Sequence, residues 1–195
     1  MTNVRWSVLV CTLTLAIALP IAARQEPASP LPPAAPEKMA PAGTAARGAQ
    51  LVMLGGCHDC HTPKNQDGSI DFSKSFMGHP ANAPLAPQVV GGASTNMLLT
   101  AWRGPWGVTL ARNLTPDKET GIGTWTLADF KKTLRTGVNP KGEVLRPPMP
   151  VPNLQNLPDA DLEAIYRHLM TRKPIHNKVG RVEAGKAGGN GGEKK

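Results

Sequence analysis

Five consecutive residues, Cys57-His58-Asp59-Cys60-His61, carry the most legible chemistry in the chain. Cys-x-x-Cys-His is the attachment signature of a c-type haem. Two thiols three positions apart on one turn can form thioethers to two vinyl groups of a single porphyrin, and the next imidazole, His61, then sits beneath the iron as proximal ligand. Two rival chemistries use the same residue types. Zinc needs about four ligands; Cys57, Cys60, His61 and a distant His79 supply that number, but the second paired knuckle usual in such sites is missing. A thioredoxin-like dithiol needs a βαβ context with a helix starting at the cysteine pair, and here the pair follows a helical pattern instead. The third cysteine, Cys11, lies in an N-terminal apolar segment, so the mature chain keeps one Cys pair and no disulfide framework.

An iron so held has a sixth position to fill, and Met149 is the leading candidate. It stands in Arg146-Pro147-Pro148-Met149-Pro150-Val151-Pro152, where four prolines in seven residues fix the backbone and present the thioether rigidly from an apolar rim. Met53 and Met170 continue the apolar faces of helices and read as core. Met77 and Met97 are loop residues and lesser competitors. His79 is the runner-up and would give a bis-histidine iron. His58, between the two cysteines, is expected to face solvent, and His168 and His176 to be ordinary surface residues.

These residues need elements to position them. The length of 195 residues suits one domain with tails. With only 4% aromatic residues the chain lacks bulk for a core, which a buried macrocycle would supply. The net charge of +8 sits in part in a basic C-terminal tail, and no Lys/Arg stripe interleaved with aromatics appears, which argues against nucleic acid. A basic surface would instead steer the protein toward an acidic protein partner.

Residues 1–23 read as a secretory signal peptide: Arg5, an apolar run from Val8 to Leu19, then small residues with cleavage after Ala23. The apolar run falls short of the roughly 20 residues a spanning helix needs. Residues 24–43, rich in Pro and Ala, read as an extended linker. The domain is expected over 44–177, and a disordered basic tail over 178–195. Helices are predicted over 44–56 (ended by Gly55-Gly56), 126–136 (Thr126 as N-cap with Asp129 as a capping-box partner) and 158–171. Residues 62–107 read as a long loop wrapping a macrocycle edge, anchored by Trp102, Arg103 and Trp106, with a short helix over 97–102. Residues 108–113 read as a short extended stretch. Gly48 is costly inside a helix unless another helix approaches closely there.

Further stretches carry a family resemblance. Gly48 and Leu51 before the motif, Asn113-Leu114-Thr115-Pro116-Asp117, Gly121-Ile122-Gly123-Thr124-Trp125, Pro147-Pro148-Met149-Pro150 and Asp161-Leu162-Glu163-Ala164-Ile165-Tyr166 together resemble the bacterial monohaem domain of cytochrome c. They are most similar to the c-type modules in, or alongside, periplasmic dehydrogenase cytochrome subunits. The resemblance covers about residues 44–176. It implies an all-α fold, with small helices packed around one covalent haem c. It implies a crossing of the first and last helices at a glycine–aromatic contact matched by Gly48 and Tyr166. It also implies a tryptophan near the haem, matched by Trp125, whose indole would reach a propionate. A proline carbonyl would brace His61, with Pro80, Pro84 and Pro87 competing for that role.

The function so implied is periplasmic electron transfer, with His61 and Met149 as iron ligands and Cys57, Cys60 and Trp125 as further haem-binding residues. Redox proteins would be its partners, without nucleic acid or a small-molecule substrate, and membrane contact would require an uncleaved signal segment. Two alternatives stay open: a haem enzyme or sensor with an open sixth site, and the cytochrome subunit of a larger dehydrogenase or oxidase.

Overall fold

Two helices at opposite ends of the domain are drawn together at a single glycine. The computed structural model describes residues 39–180. The expected signal segment, all but the end of the linker, and the tail beyond residue 180 lie outside the described residues. Helix α1 (Ala45–Leu54) starts at Thr44, whose hydroxyl accepts from the Arg47 N–H (3.2 Å), and stops at Gly55, whose N–H returns to the Leu51 carbonyl. Helix α5 (Asp159–Met170) begins after Pro158 and carries Asp159 and Asp161 in its first turn, where acidic residues favour the helix dipole.

The two cross at Gly48. A Cβ placed there would stand 1.9 Å from the Ala164 carbonyl oxygen and 2.7 Å from the His168 Cβ. The close approach expected of Gly48 is therefore real, but its partner is the Ala164–His168 turn and not Tyr166. The Tyr166 ring packs on Phe130, and its hydroxyl donates to the Trp125 carbonyl (2.9 Å). A two-pronged ion pair from Arg47 to Asp161 (3.0 and 3.2 Å) closes the edge of the crossing. His168 is buried by the same crossing, at 7% exposure, rather than lying on the surface; burial pushes its pKa down to about 4 and keeps the ring neutral.

Between these helices lie α2 (Cys57–His61), a 3-10 turn at Phe72–Lys74, strands β1 (Ser94–Thr95), β2 (Ala101–Gly104) and β3 (Gly107–Leu110), α3 (Leu127–Thr136) and the short α4 (Val151–Leu154). The strands correct the all-α expectation. They form one antiparallel sheet in the order β1-β2-β3, with Thr95 opposite Trp102, Trp102 opposite Thr109 and Gly104 opposite Gly107. The physical reason is the tight turn Gly104-Pro105-Trp106-Gly107: Gly107 takes φ +93°, a conformation costly for other residues, and returns the chain onto itself. Buried Val108 and Leu110 then alternate with half-buried neighbours in the two-residue period of a one-sided strand.

The helix expected over 97–102 is absent, because Leu99 has φ +56° and β2 begins at Ala101. Nor is the long loop structureless. Buried Asn96 accepts from the Thr100 and Ala101 N–H groups and donates to the Pro84 carbonyl, which satisfies backbone that would otherwise be left unpaired.

The third predicted helix, α3, has the expected capping box between Thr126 and Asp129 and ends at Gly137 in the left-handed region (φ 70°). One apolar cluster joins α1, α3 and α5 through Val52, Phe76, Ile122, Phe130, Leu134, Leu162, Ile165 and Leu169; a second, of Ala86, Ala101, Val108 and Leu110, lies under the sheet. Among the described residues no helix is long and apolar enough to cross a membrane.

The crossing gives a sign test. Alanine normally improves a helix interior over glycine by ~1 kcal/mol. Gly48→Ala is expected to do the reverse, destabilising by about 1–3 kcal/mol through overpacking against backbone that cannot move aside. The denaturant midpoint checks it; an unchanged or raised midpoint would show that the helices do not meet there.

Candidate haem site

The attachment motif forms its own helix. Gly56, in the left-handed region (φ 62°), turns the chain out of α1, and Cys57–His61 follow as α2. The cysteine pair therefore follows one helix, as the sequence reading has it, and also opens another, which that reading does not foresee. The sheet is antiparallel, however, and among the described residues the βαβ frame of a dithiol oxidoreductase is not formed.

Both thiols are half-buried and not disulfide-linked. Burial pushes Cys57 up to about 11 and Cys60 in the same direction. Reactive dithiols need the opposite shift. Among the described residues no three His, Cys, Asp or Glu side chains converge as a metal shell, so His79 does not complete a zinc site with the motif. Its Nδ1 pairs with the Thr100 hydroxyl (2.9 Å) and its ring is 2% exposed.

The end of α2 is capped by Lys64, a residue the sequence reading passes over. Its ammonium donates to the carbonyls of Asp59 (2.8 Å), Thr62 (2.9 Å) and His58 (3.2 Å) and is itself buried. A lysine just beyond a helix C-terminus, where carbonyls lack partners, is the available signal. His58 is not solvent-facing. It is 7% exposed, its ring lies 4.0 Å from that of Phe76 and 5.3 Å from that of Phe72, and its Nδ1 pairs with the Thr62 hydroxyl (2.8 Å).

His61 carries the informative geometry. Its Nδ1 lies 2.8 Å from the Arg112 carbonyl oxygen. A carbonyl only accepts, so Nδ1 must hold the proton. Burial pushes the ring's pKa down and keeps it neutral, and in that tautomer Nε2 is the atom with a free lone pair. Metal-bound histidines are commonly oriented in this way, with the far ring N–H given to a carbonyl or carboxylate. The brace is thus the carbonyl of Arg112, just before the Asn113-Leu114-Thr115-Pro116-Asp117 stretch, and not Pro80, Pro84 or Pro87. Gly78 makes room for it: at φ 76°, its N–H donates to the His61 carbonyl (2.9 Å), and a Cβ there would lie 2.7 Å from the Arg112 oxygen. No side-chain pattern marks a backbone acceptor, which is why the sequence does not reveal it.

Cys57, Trp125 and Met149 are half-buried and pack against the same apolar cluster. Met149 sits just ahead of α4, after a cis Pro147–Pro148 bond. Its N–H donates to the Arg146 carbonyl (3.1 Å), and the Thr109 hydroxyl on β3 ties the proline run to the sheet at the Pro147 carbonyl (2.7 Å). Met97 is 89% exposed and so has no enclosed environment.

The Trp102 indole donates to the Leu99 carbonyl (3.0 Å) and also bears on the Cys60 thiol. Trp106 folds back over Gly104, and its buried indole N–H has no acceptor among the described residues. An unpaired buried donor is costly and calls for a partner. A neutral imidazole with a free Nε2, two protected thiols on the same turn and a thioether on the shared apolar cluster together fit a c-type haem.

The fold and donor set define a cytochrome c module. No protein-family model matches the chain. Several curated relatives align with it, three of which follow. A nicotinate dehydrogenase subunit from Pseudomonas putida is 32% identical over 133 residues, covering 68% of this chain and 9% of that protein. The cytochrome c subunit of gluconate 2-dehydrogenase from Pantoea cypripedii is 32% identical over 124 residues, covering 64% and 22%. The cytochrome c subunit of alcohol dehydrogenase (quinone) from Gluconobacter oxydans is 43% identical over 68 residues, covering 35% and 14%. The chain spans less than a quarter of the length of each. The chain is similar to these proteins over a small part of their length, which supports its reading as a cytochrome c module.

The Lys64 cap can be tested without reference to redox chemistry. Lys64→Met keeps most of the stem but leaves three carbonyls with one donor fewer, and is expected to destabilise the domain by about 1–3 kcal/mol. Thermal unfolding measures it, and a wild-type midpoint would show that the ammonium does not hold the end of α2.

Proposed function

We propose that this protein is an exported electron carrier with one covalently attached haem c, held by Cys57 and Cys60 and ligated by His61 and Met149. The observation that carries the reading is the hydrogen bond from His61 Nδ1 to the Arg112 carbonyl, which leaves Nε2 as the ligating atom. The single Cys-x-x-Cys-His motif supports one haem per chain. The apolar N-terminal run and its small-residue end support export to the periplasm.

The bound haem supplies one-electron Fe(II)/Fe(III) cycling. Everything else falls to the chain's own residues. The thioether cysteines retain the ring. His61, braced at Nδ1, is a fixed and electron-rich donor. Met149 would give its thioether to the haem iron, which would favour Fe(II) relative to a second imidazole. The Pro-rich rim and the apolar cluster around Cys57, Trp125 and Met149 limit access of water. With His61 and Met149 both given to the haem iron, the chain would leave no place there for oxygen or peroxide, which disfavours the enzyme and sensor alternatives. Redox proteins are the partners, docking briefly through a small interface. The relatives' names support a place beside, or within, a dehydrogenase assembly.

Two substitutions test these assignments. Met149→Ala should abolish the weak long-wavelength Fe(III)–thioether absorption band and open the iron to exogenous ligands; an unchanged spectrum would assign the sixth position to another residue. Replacing both Cys57 and Cys60 with Ser should leave no haem on the polypeptide after denaturation and extraction, and retained covalent haem would overturn the attachment.

A further inference from the structure

The segment after the last helix is held more tightly than its sequence suggests. Three of its residues make specific bonds to the two backbone segments that grip His61. Asn177 is 6% exposed. Its side-chain amide donates to the carbonyls of Met77 (2.7 Å) and His79 (2.9 Å) and accepts from the Ala81 N–H (3.2 Å), so it clasps the chain on both sides of Gly78. Ile175 meets the second segment: its N–H donates to the Thr115 hydroxyl (3.1 Å), and its carbonyl accepts from the Asn113 amide (2.8 Å). The Asn177 N–H adds a bond to the Thr120 hydroxyl (3.0 Å). Finally the Arg112 guanidinium donates to the Gly180 carbonyl (3.1 Å), while Val179 packs against the cluster under the sheet.

These contacts converge on one group. Gly78 donates its N–H to the His61 carbonyl and lies against the Arg112 carbonyl, which accepts from His61 Nδ1. Phe76, two residues earlier, is fully buried with φ 61°, an unfavourable conformation for an aromatic residue that persists only where surroundings enforce it. Neither segment is regular secondary structure at these positions, so neither has a ladder of its own to hold it.

We propose that residues 174–180 form a strap that positions the His61 imidazole, with Asn177 as its latch: a positioning role that rests on the reading of His61 as iron ligand. The strap acts through the length and direction of the Nδ1–carbonyl hydrogen bond. A well-made bond raises the electron donation of the imidazole to a bound metal, and a loosened one lowers it. Releasing the latch therefore favours Fe(II).

The test uses the full-length holoprotein with Asn177→Asp and Asn177→Ala. The aspartate keeps an acceptor for Ala81 but loses both donors to Met77 and His79, and serves if the alanine variant does not fold. Two readouts are compared with wild type: the midpoint potential by spectroelectrochemical titration, and amide hydrogen exchange at Gly78. The potential is expected to move to a more positive value, and Gly78 exchange to accelerate about tenfold, as local opening becomes easier by roughly one hydrogen bond. Variants that lose thermal stability but keep the wild-type potential and Gly78 exchange would overturn the proposal and leave the strap a purely structural element. Wild-type protein without covalent haem would instead overturn the haem reading, and with it the redox part of the strap's role, whatever the exchange at Gly78.

Discussion

One hydrogen bond organises this molecule: His61 Nδ1–H to the Arg112 carbonyl, at 2.8 Å. It decides which ring nitrogen carries the proton, and so which one can ligate. It also sets a demand on the fold, because its two partners come from distant parts of the sequence. On the histidine side, the Gly48 crossing fixes α1 against α5, Gly56 turns the chain, and Lys64 gathers the carbonyls at the end of α2. On the carbonyl side, Gly78 lets the 112 segment approach, and the hairpin of β2 and β3 delivers the chain to Arg112. The glycines at 48, 56 and 78 are thus not loose points. Each allows an approach or a turn that a side chain would block or strain.

Burial explains why the centre suits a held cofactor better than reactive thiols. The same desolvation that raises both cysteine thiols keeps His61 neutral. Raised thiols make poor nucleophiles, but a thioether carries no charge to desolvate. The relatives are consistent with this division of labour. In each the region matched is a small part of a larger protein.

What can be read from the sequence is local. The capping box of Thr126 and Asp129, the glycine stop of α1, the Cys-x-x-Cys-His spacing and the unusual Gly48 each express their chemistry within a few residues. What cannot be read depends on long-range closure. Strands of two to four residues are too short to show alternation among so many prolines and glycines, so the hairpin at Gly104–Gly107 reads as loop. Arg112 serves through its carbonyl, which every residue possesses. Polarity alone puts His58 and His168 at the surface, yet Phe76 covers the first and the Gly48 crossing buries the second. The contact expected of Tyr166 follows from its position in a helix, but the real contact at Gly48 is one turn of α5 bounded by Ala164 and His168.

The central proposal is a covalently held haem whose iron would take both of its protein ligands, His61 and Met149, from the chain. It is tested most directly by the visible spectrum of the purified, reduced protein before and after carbon monoxide is added. A low-spin haem c spectrum that carbon monoxide leaves unchanged is the predicted result. A spectrum that shifts on addition of the gas would show an open iron, and a protein without haem absorbance would contradict the account altogether.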